Sequence, residues 1–450
     1  MKPVTLLLAS AAIGLLACTS EPTSPEASRK APVAEAQLAS VGPYYAITYL
    51  SGTTPGTAYG INNNGQAAGL FSTSNGFHAF LWTNGVKQDL GTAGGQAGSV
   101  SLANAVNAAG QVVGKSSNPA GQLNAALWQN GAWRDLGTLA GPGFNVGSVA
   151  NAINATGLIV GWSYTATLGQ RAFLWQNGTM SRLAGLNKTY GAAFGVNNTG
   201  VVVGEFQTTS GTYHAFRWKD GVVSDLGTLG GIGNSSATAI NNNNQVVGWS
   251  TIASGAYHAF IWQGGVTTDL GTLGGTNSAA IAVNGLGQVV GWSDVAVGSP
   301  LHAFIWDNGV MTDLGPGDAR GINRDGWVVG TRGDWRVTFQ GALPTLWKPS
   351  PTPPPASKSG SIGVANVVFF SDRNGSYNSV VDTVAVGQTV TWHWISGTHS
   401  VHSQGSPGFT SSAVMSGAGI TYSKRFATPG IYRFNCQIHP TKMTGRIVVK

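Results

Sequence analysis

One block, Ala-Phe-x-Trp, returns at nearly constant intervals along this chain, and that periodicity constrains the fold more than any other feature. It occurs as Ala79–Trp82, Ala172–Trp175, Ala215–Trp218, Ala259–Trp262 and Ala303–Trp306, with weaker copies ending at Trp128 and Trp347. Successive Trp residues lie 46, 47, 43, 44, 44 and 41 positions apart. Between them recur a Val-Val-Gly element (Val112-Val113-Gly114, Val246-Val247-Gly248) and an Ile/Val-Asn element (Ile61-Asn62, Ile240-Asn241). An Asn-Gly type of turn follows most of the Trp residues, and then usually Asp-Leu-Gly, at Asp89, Asp135, Asp225, Asp269 and Asp313.

Each unit thus holds four short β-branched or aromatic runs separated by Gly/Asn turns. Four strands in roughly 40–45 residues is the size of a propeller blade. Six units carry their own Asp-Leu strand and the seventh does not, while Tyr45–Leu50 stands unassigned at the start. The expected fold of residues 43–347 is therefore an all-β, seven-bladed β-propeller whose first strand completes the last blade. Closure leaves only short, protected edges. The Phe and Trp of the repeated block are expected in the core between sheets, and the recurrent Asp is expected to accept turn amides.

These units resemble the bacterial extracellular HAF repeat, whose name is spelled at His78-Ala79-Phe80, His214-Ala215-Phe216, His258-Ala259-Phe260 and His302-Ala303-Phe304. The resemblance implies location rather than an activity. The four His open the third strand of separate blades, too far apart to share an ion. No catalytic constellation is found in the repeats, where Glu205 is the lone Glu, and the chain is not expected to be an enzyme.

Charged residues make up only 9% of the 450 positions and Gly accounts for 66 of them, which suits a Gly-turned β protein outside the cell. The net charge of +7 is concentrated, since eight Lys/Arg against two Asp put +6 on Lys358–Lys450. The near-neutral remainder argues against nucleic-acid binding, which needs a basic stripe.

Of the two cysteines, Cys18 closes an apolar leader of signal-peptide shape, Val4–Ala17. Leu15-Leu16-Ala17-Cys18 resembles the bacterial lipobox, which implies removal of residues 1–17, lipidation of Cys18 and a membrane anchor. Residues 18–42 read as a disordered tether. The expected location is the bacterial cell envelope, periplasmic or at the cell surface. A Pro-rich linker, residues 348–359, precedes the last domain, residues 360–450.

That domain reads as seven or so strands: 364–370, 382–386, 388–394, 399–402, 420–426, 430–436 and 445–449, the number of a Greek-key sandwich. Its candidate metal ligands are His399, Cys436, His439 and Met443. A thiolate and two imidazoles in a near-trigonal plane, with a weak axial thioether, serve Cu(I) and Cu(II) about equally. The pattern resembles the cupredoxins plastocyanin, amicyanin and pseudoazurin: Trp392, His399-Ser400-Val401, Pro429-Gly430-Ile431-Tyr432, Cys436-x-x-His439 and Met443-Thr444-Gly445. The resemblance implies one type 1 copper and a solvent-facing edge on His439. The His439-to-Met443 spacing lies between those of amicyanin and plastocyanin, so Met443 is the ligand it supports least. Met415 reads as packing and His393 as a bystander, while His402 would replace His399 if the strand register slipped.

The leading expectation is a lipoprotein that carries single electrons through copper, with a redox partner that presents an acidic surface. The alternative is a binding protein whose propeller recognises a polymer or protein, with copper structural, stored or sensed.

Overall fold

The computed structural model describes residues 44–350 and 361–450 apart from 145, 168, 187–189, 231, 297–300, 334–341, 366–367, 372–378, 395–396, 418 and 441–442, and every regular element in it is a β-strand. The leader, the tether and Cys18 lie outside the described residues, as do Lys442, residues 351–359 of the expected linker and residue 360.

The first repeat runs Gly56–Ile61, Ala67–Thr73, Gly76–Thr83 and Val86–Asp89 as successive antiparallel neighbours in one small sheet. Repeats two to five form four-stranded sheets in the same order. One long strand, Val310–Ile322, ends the sixth sheet and begins the seventh, which merges them into a seven-stranded sheet. The far edge of that sheet is Tyr44–Tyr49, paired antiparallel with Leu343–Ser350, as the strand count predicts. The last strand continues past the expected boundary at 347, because Lys348, Pro349 and Ser350 pair with Ala46, Tyr45 and Tyr44. The pairing partner across the edge, not the Pro content, decides where the strand stops.

Local chemistry explains the repeated letters. Asn84-Gly85, Asn130-Gly131, Asn177-Gly178 and Asn308-Gly309 all have positive φ at both positions, the two-residue type I′ turn that matches strand twist. Every first strand carries a bulge at the same place, for example between Ala237 and Ala239. The bulge brings a carbonyl towards the second strand, where a Cβ on Gly248 would lie 1.9 Å from Ser236 O. The same clash recurs at Gly114, Gly161, Gly204 and Gly291, so the Gly of Val-Val-Gly is what admits the bulge.

Among the described residues no sheet closes on itself, and side chains link each repeat to the next. Asn62 Nδ2 donates to Asn107 O at 2.8 Å, Asn107 to Asn154 O at 3.1 Å, and Asn154 to Asn197 O at 3.0 Å. The series continues from Asn197 to Asn241 O at 3.2 Å, Asn241 to Asn284 O at 2.8 Å, and Asn284 to Asn323 O at 3.0 Å. Asn323 then donates to Asn62 O at 3.3 Å and completes a cycle of seven. Buried Ser residues tie neighbours a second time: Ser235 Oγ accepts from Ala215 N and donates to Gly227 O, and Ser278 does the same for Ala259 and Gly271.

The core expectation holds for Phe and fails in part for Trp. Phe80, Phe173, Phe216, Phe260 and Phe304 are all buried, as are Trp82, Trp175 and Trp347. Trp128, Trp218, Trp262 and Trp306 are only half-buried. At Trp218 the indole N–H reaches Ala184 O at 2.9 Å, the polar handle that keeps such a ring at a boundary.

Residues 361–450 form two four-stranded sheets. One is ordered Val368–Ser371, Ser361–Ala365, Thr389–Trp394, Thr421–Arg425, and the other Ser379–Val384, Thr444–Val449, Gly430–Asn435, His402–Gln404. They share one apolar core, in which Trp392 of the first sheet meets Phe434 of the second edge-to-face at 5.2 Å. Two expected strands are divided. The run 364–370 is an antiparallel pair, Ser361–Ala365 with Val368–Ser371. The run 399–402 is two short pieces that bond to different partners, Thr398–His399 to Met415–Ser416 and His402–Gln404 to Gly430–Asn435.

Candidate metal centre

The change of partner after His399 creates the site. His399 ends one short strand, fully buried, and Cys436 follows directly on the strand Gly430–Asn435, also buried. The loop after Cys436 is knotted by backbone bonds: His439 N to Cys436 O at 3.2 Å, Met443 N to His439 O at 2.9 Å, and Cys436 N to Met443 O at 3.0 Å. Those three bonds fold the spacing Cys436-x-x-His439 into one tight turn and return Met443 to the sheet beside Cys436. Met443 is buried in the same apolar cluster as Cys436.

His399, Cys436 and His439 come together, with one donor atom from each within 4.8 Å of the others. Cys436 Sγ lies 3.8 Å from Nδ1 of His399 and 3.8 Å from Nδ1 of His439. A single thiol proton can serve only one of those contacts. If a thiolate bond is about 2.3 Å and an imidazole bond about 2.0 Å, a trigonal metal sets sulfur and nitrogen about 3.7 Å apart. The observed spacing fits a metal held in that plane. The two imidazole rings are 5.3 Å apart and inclined at 47°, so they face a shared point rather than stack.

Other groups fix the frame. Ser400 Oγ, fully buried, accepts from Gln437 N at 3.0 Å and links the His399 segment to the Cys436 loop. Gly397 has φ of +82°, and a Cβ there would lie 2.4 Å from His399 Nε2, so only Gly leaves room for the ring. The sequence pointed to His399, Cys436 and His439, which do lie together, but not to these two supports; their signal was adjacency to His399.

His402 stands outside the cluster, with Nδ1 3.2 Å from Gln437 Nε2, and its strand pairs with Asn435. Met415 lies opposite His399 in the short bridge and packs on the core edge. His439 is half-buried, and the side chains of Ile438 and Val414 beside this end are 47% and 48% exposed.

The four repeat histidines are held in pairs, each with its own Asp. His78, His214, His258 and His302 bond through Nδ1 to Asp89, Asp225, Asp269 and Asp313 at 2.8 to 3.0 Å. Each Asp also accepts the amide two residues on, as in Gly91 N to Asp89 Oδ1 at 2.8 Å, so the expected turn role is only half of what it does. The signal was present in the sequence: Arg171 replaces the His in the third repeat, and eleven residues later Arg182 replaces the Asp.

No family model and no curated protein matches the chain. Among solved structures, it is similar to a purple cupredoxin from Nitrosopumilus maritimus, at 24% identity over 20% of this chain and 99% of that one, with a TM-score of 0.17. It is also similar to a reduced tryptophan-to-tyrosine mutant of amicyanin, at 26% identity over 21% of this chain and 85% of that one, TM-score 0.17. The Cu(I) form of a methionine-to-alanine mutant of amicyanin matches at 27% identity with the same coverage and TM-score.

Proposed function

We propose that the chain is a cell-envelope electron carrier with a type 1 copper site, in which His399, Cys436 and His439 would hold the metal and Met443 would supply a thioether. The convergence of one buried sulfur and two Nδ1 atoms at 3.8 Å carries the proposal. Copper bound there would supply a one-electron Cu(II)/Cu(I) couple at nearly constant geometry. The protein's part is rigidity and dryness. Ser400 and the three loop bonds hold the donors before metal arrives, and the core around Trp392, Phe434 and Met443 keeps water from the sulfur side. His439, half-buried next to the exposed Ile438, is the ligand edge through which an electron would pass.

In this reading Cys18 is the lipidated anchor, and the seven repeats are a seven-bladed propeller. The Asn cycle and the pairing of Tyr44–Tyr49 with the last strand support the blade count. The redox partner is proposed to be acidic, drawn by the +6 charge of Lys358–Lys450. Such attraction weakens as salt shortens the screening length to about 8 Å at physiological strength.

Replacing Cys436 with Ser tests the reading. Copper-loaded parent protein should show intense thiolate-to-copper absorption, and Cys436→Ser should lose it entirely. A blue spectrum that survives the substitution would remove the site.

A further inference from the structure

The seven first strands share one plan: an Ala, one variable residue, a Gly or Ala, an Ile or Val, then the Asn of the cycle. The Ala before the variable position is fully buried in all seven. The residue that varies is the bulge residue itself, the one without a counterpart on the neighbouring strand. A bulge re-aims a side chain, and all seven of these residues line one cavity of about 560 Å³ within the ring of repeats. At the other end of the same strands, six of the seven uniform Asn residues line a second cavity of about 430 Å³. One mouth is therefore repetitive and the other diversified.

The bulge residues divide by what they already do. Asn104, Asn151 and Thr238 donate to the carbonyls of Ala150, Ala193 and Ala280 in the next repeat, at 2.8 to 2.9 Å. They belong to the frame. Tyr59, Phe194 and Ile281 offer ring faces and an apolar wall, and Trp249 adds an indole from a second strand. Arg320 and Glu205 are the charged side chains of the lining. Arg320 is neutralised by Asp318 at 2.5 Å and lies 5.0 Å over the Tyr59 ring. Glu205 accepts the Tyr190 hydroxyl at 3.0 Å, a phenol pushed up to about 12 by burial and then by that carboxylate.

We infer that this cavity is a binding site for a neutral saccharide, with Phe194 and Trp249 as its stacking surfaces. The size suits a small ligand, since pockets of about 300–1,000 Å³ serve that purpose. Ring faces are electron-rich and attract the weakly positive C–H faces of a sugar, while the amide, hydroxyl and guanidinium groups between them meet its hydroxyls. Among the described residues of the lining Arg320 is the one cation, and its pairing with Asp318 disfavours recruitment of a phosphate. The site does not depend on copper.

Full-length protein titrated with maltose, cellobiose and chitobiose, followed by tryptophan fluorescence and saturation-transfer NMR, tests this. At least one disaccharide should bind saturably, Phe194→Ala should weaken it tenfold or more, and Ile281→Trp should abolish it by filling the cavity. Cys436→Ser should bind as the parent does, which separates failure here from failure of the copper reading. Melting curves establish that each variant is folded, and either folded variant suffices. Absence of saturable binding to all three sugars would overturn the inference. So would binding left unchanged in a folded variant, or inorganic phosphate binding in place of sugar.

Discussion

The repeats and the C-terminal ninety residues encode structure in opposite ways. In the repeats, a residue that recurs is frame: the Asn of the cycle, the Gly beneath each bulge, the buried Phe, the His–Asp pair. In the C-terminal part nothing recurs, and the informative residues occur once: one Cys, the His three positions later, one His upstream. Repetition spreads stability over many equivalent contacts, so that a single site contributes little and no site stands out chemically. A single-copy constellation does the reverse. It concentrates chemistry at one point and leaves the surrounding sheets to hold it.

If closure is what the repeats encode, the largest effect should come from opening the ring. Deleting Tyr44–Gly52 removes the partner of Leu343–Ser350 and leaves an open edge with exposed backbone donors. The repeats should lose cooperative unfolding or aggregate, while the copper spectrum of the same protein persists. A truncated chain that melts like the parent would break the comparison.

A smaller loss is expected from crowding one bulge. Gly248→Ala places a Cβ against Ser236 O, and such overpacking costs about 1–3 kcal/mol. Chemical denaturation of the repeats should register that drop, with the absorbance of copper-loaded protein at the proposed site unmoved. An unchanged midpoint would mean that the bulge relaxes freely and that Gly is not what admits it.

The smallest effect should follow His258→Ala. Its partner Asp269 also accepts Gly271 N at 2.7 Å, so the turn keeps its main bond, and the exposed pair is worth about 1 kcal/mol or less. A loss of copper binding in this variant would contradict the assignment of the repeat histidines to the frame.

The same contrast explains what was legible in the sequence. The period, the displaced first strand and the grouping of His399, Cys436 and His439 could be read directly, because spacing along the chain determines them. Contacts across the sheet were harder. Bulges at Ala237/Ala239 and its counterparts leave no trace in a hydrophobic pattern, because one extra residue flips the facing of a strand only locally. His258 and Asp269 stand eleven residues apart and meet only once the Gly264-Gly265 hairpin sets their register. The partial burial of Trp218 and Trp262 escaped for the opposite reason: a large apolar ring reads as core, whereas an indole N–H can hold it at the boundary. In the C-terminal region, the run 399–402 looked like one strand because its residues suit one. The change of partner between His399 and His402 is a tertiary event, and it is the event that sets His399 facing Cys436 and leaves His402 outside.

Electron paramagnetic resonance of the protein loaded with one equivalent of Cu(II), with optical redox titration of the same sample, tests the central claim most directly. The account predicts one copper per chain, a narrow copper hyperfine splitting with intense thiolate absorption, and both signals lost and regained through a reversible one-electron cycle. A wide splitting without the thiolate band, or copper that does not cycle, would contradict it.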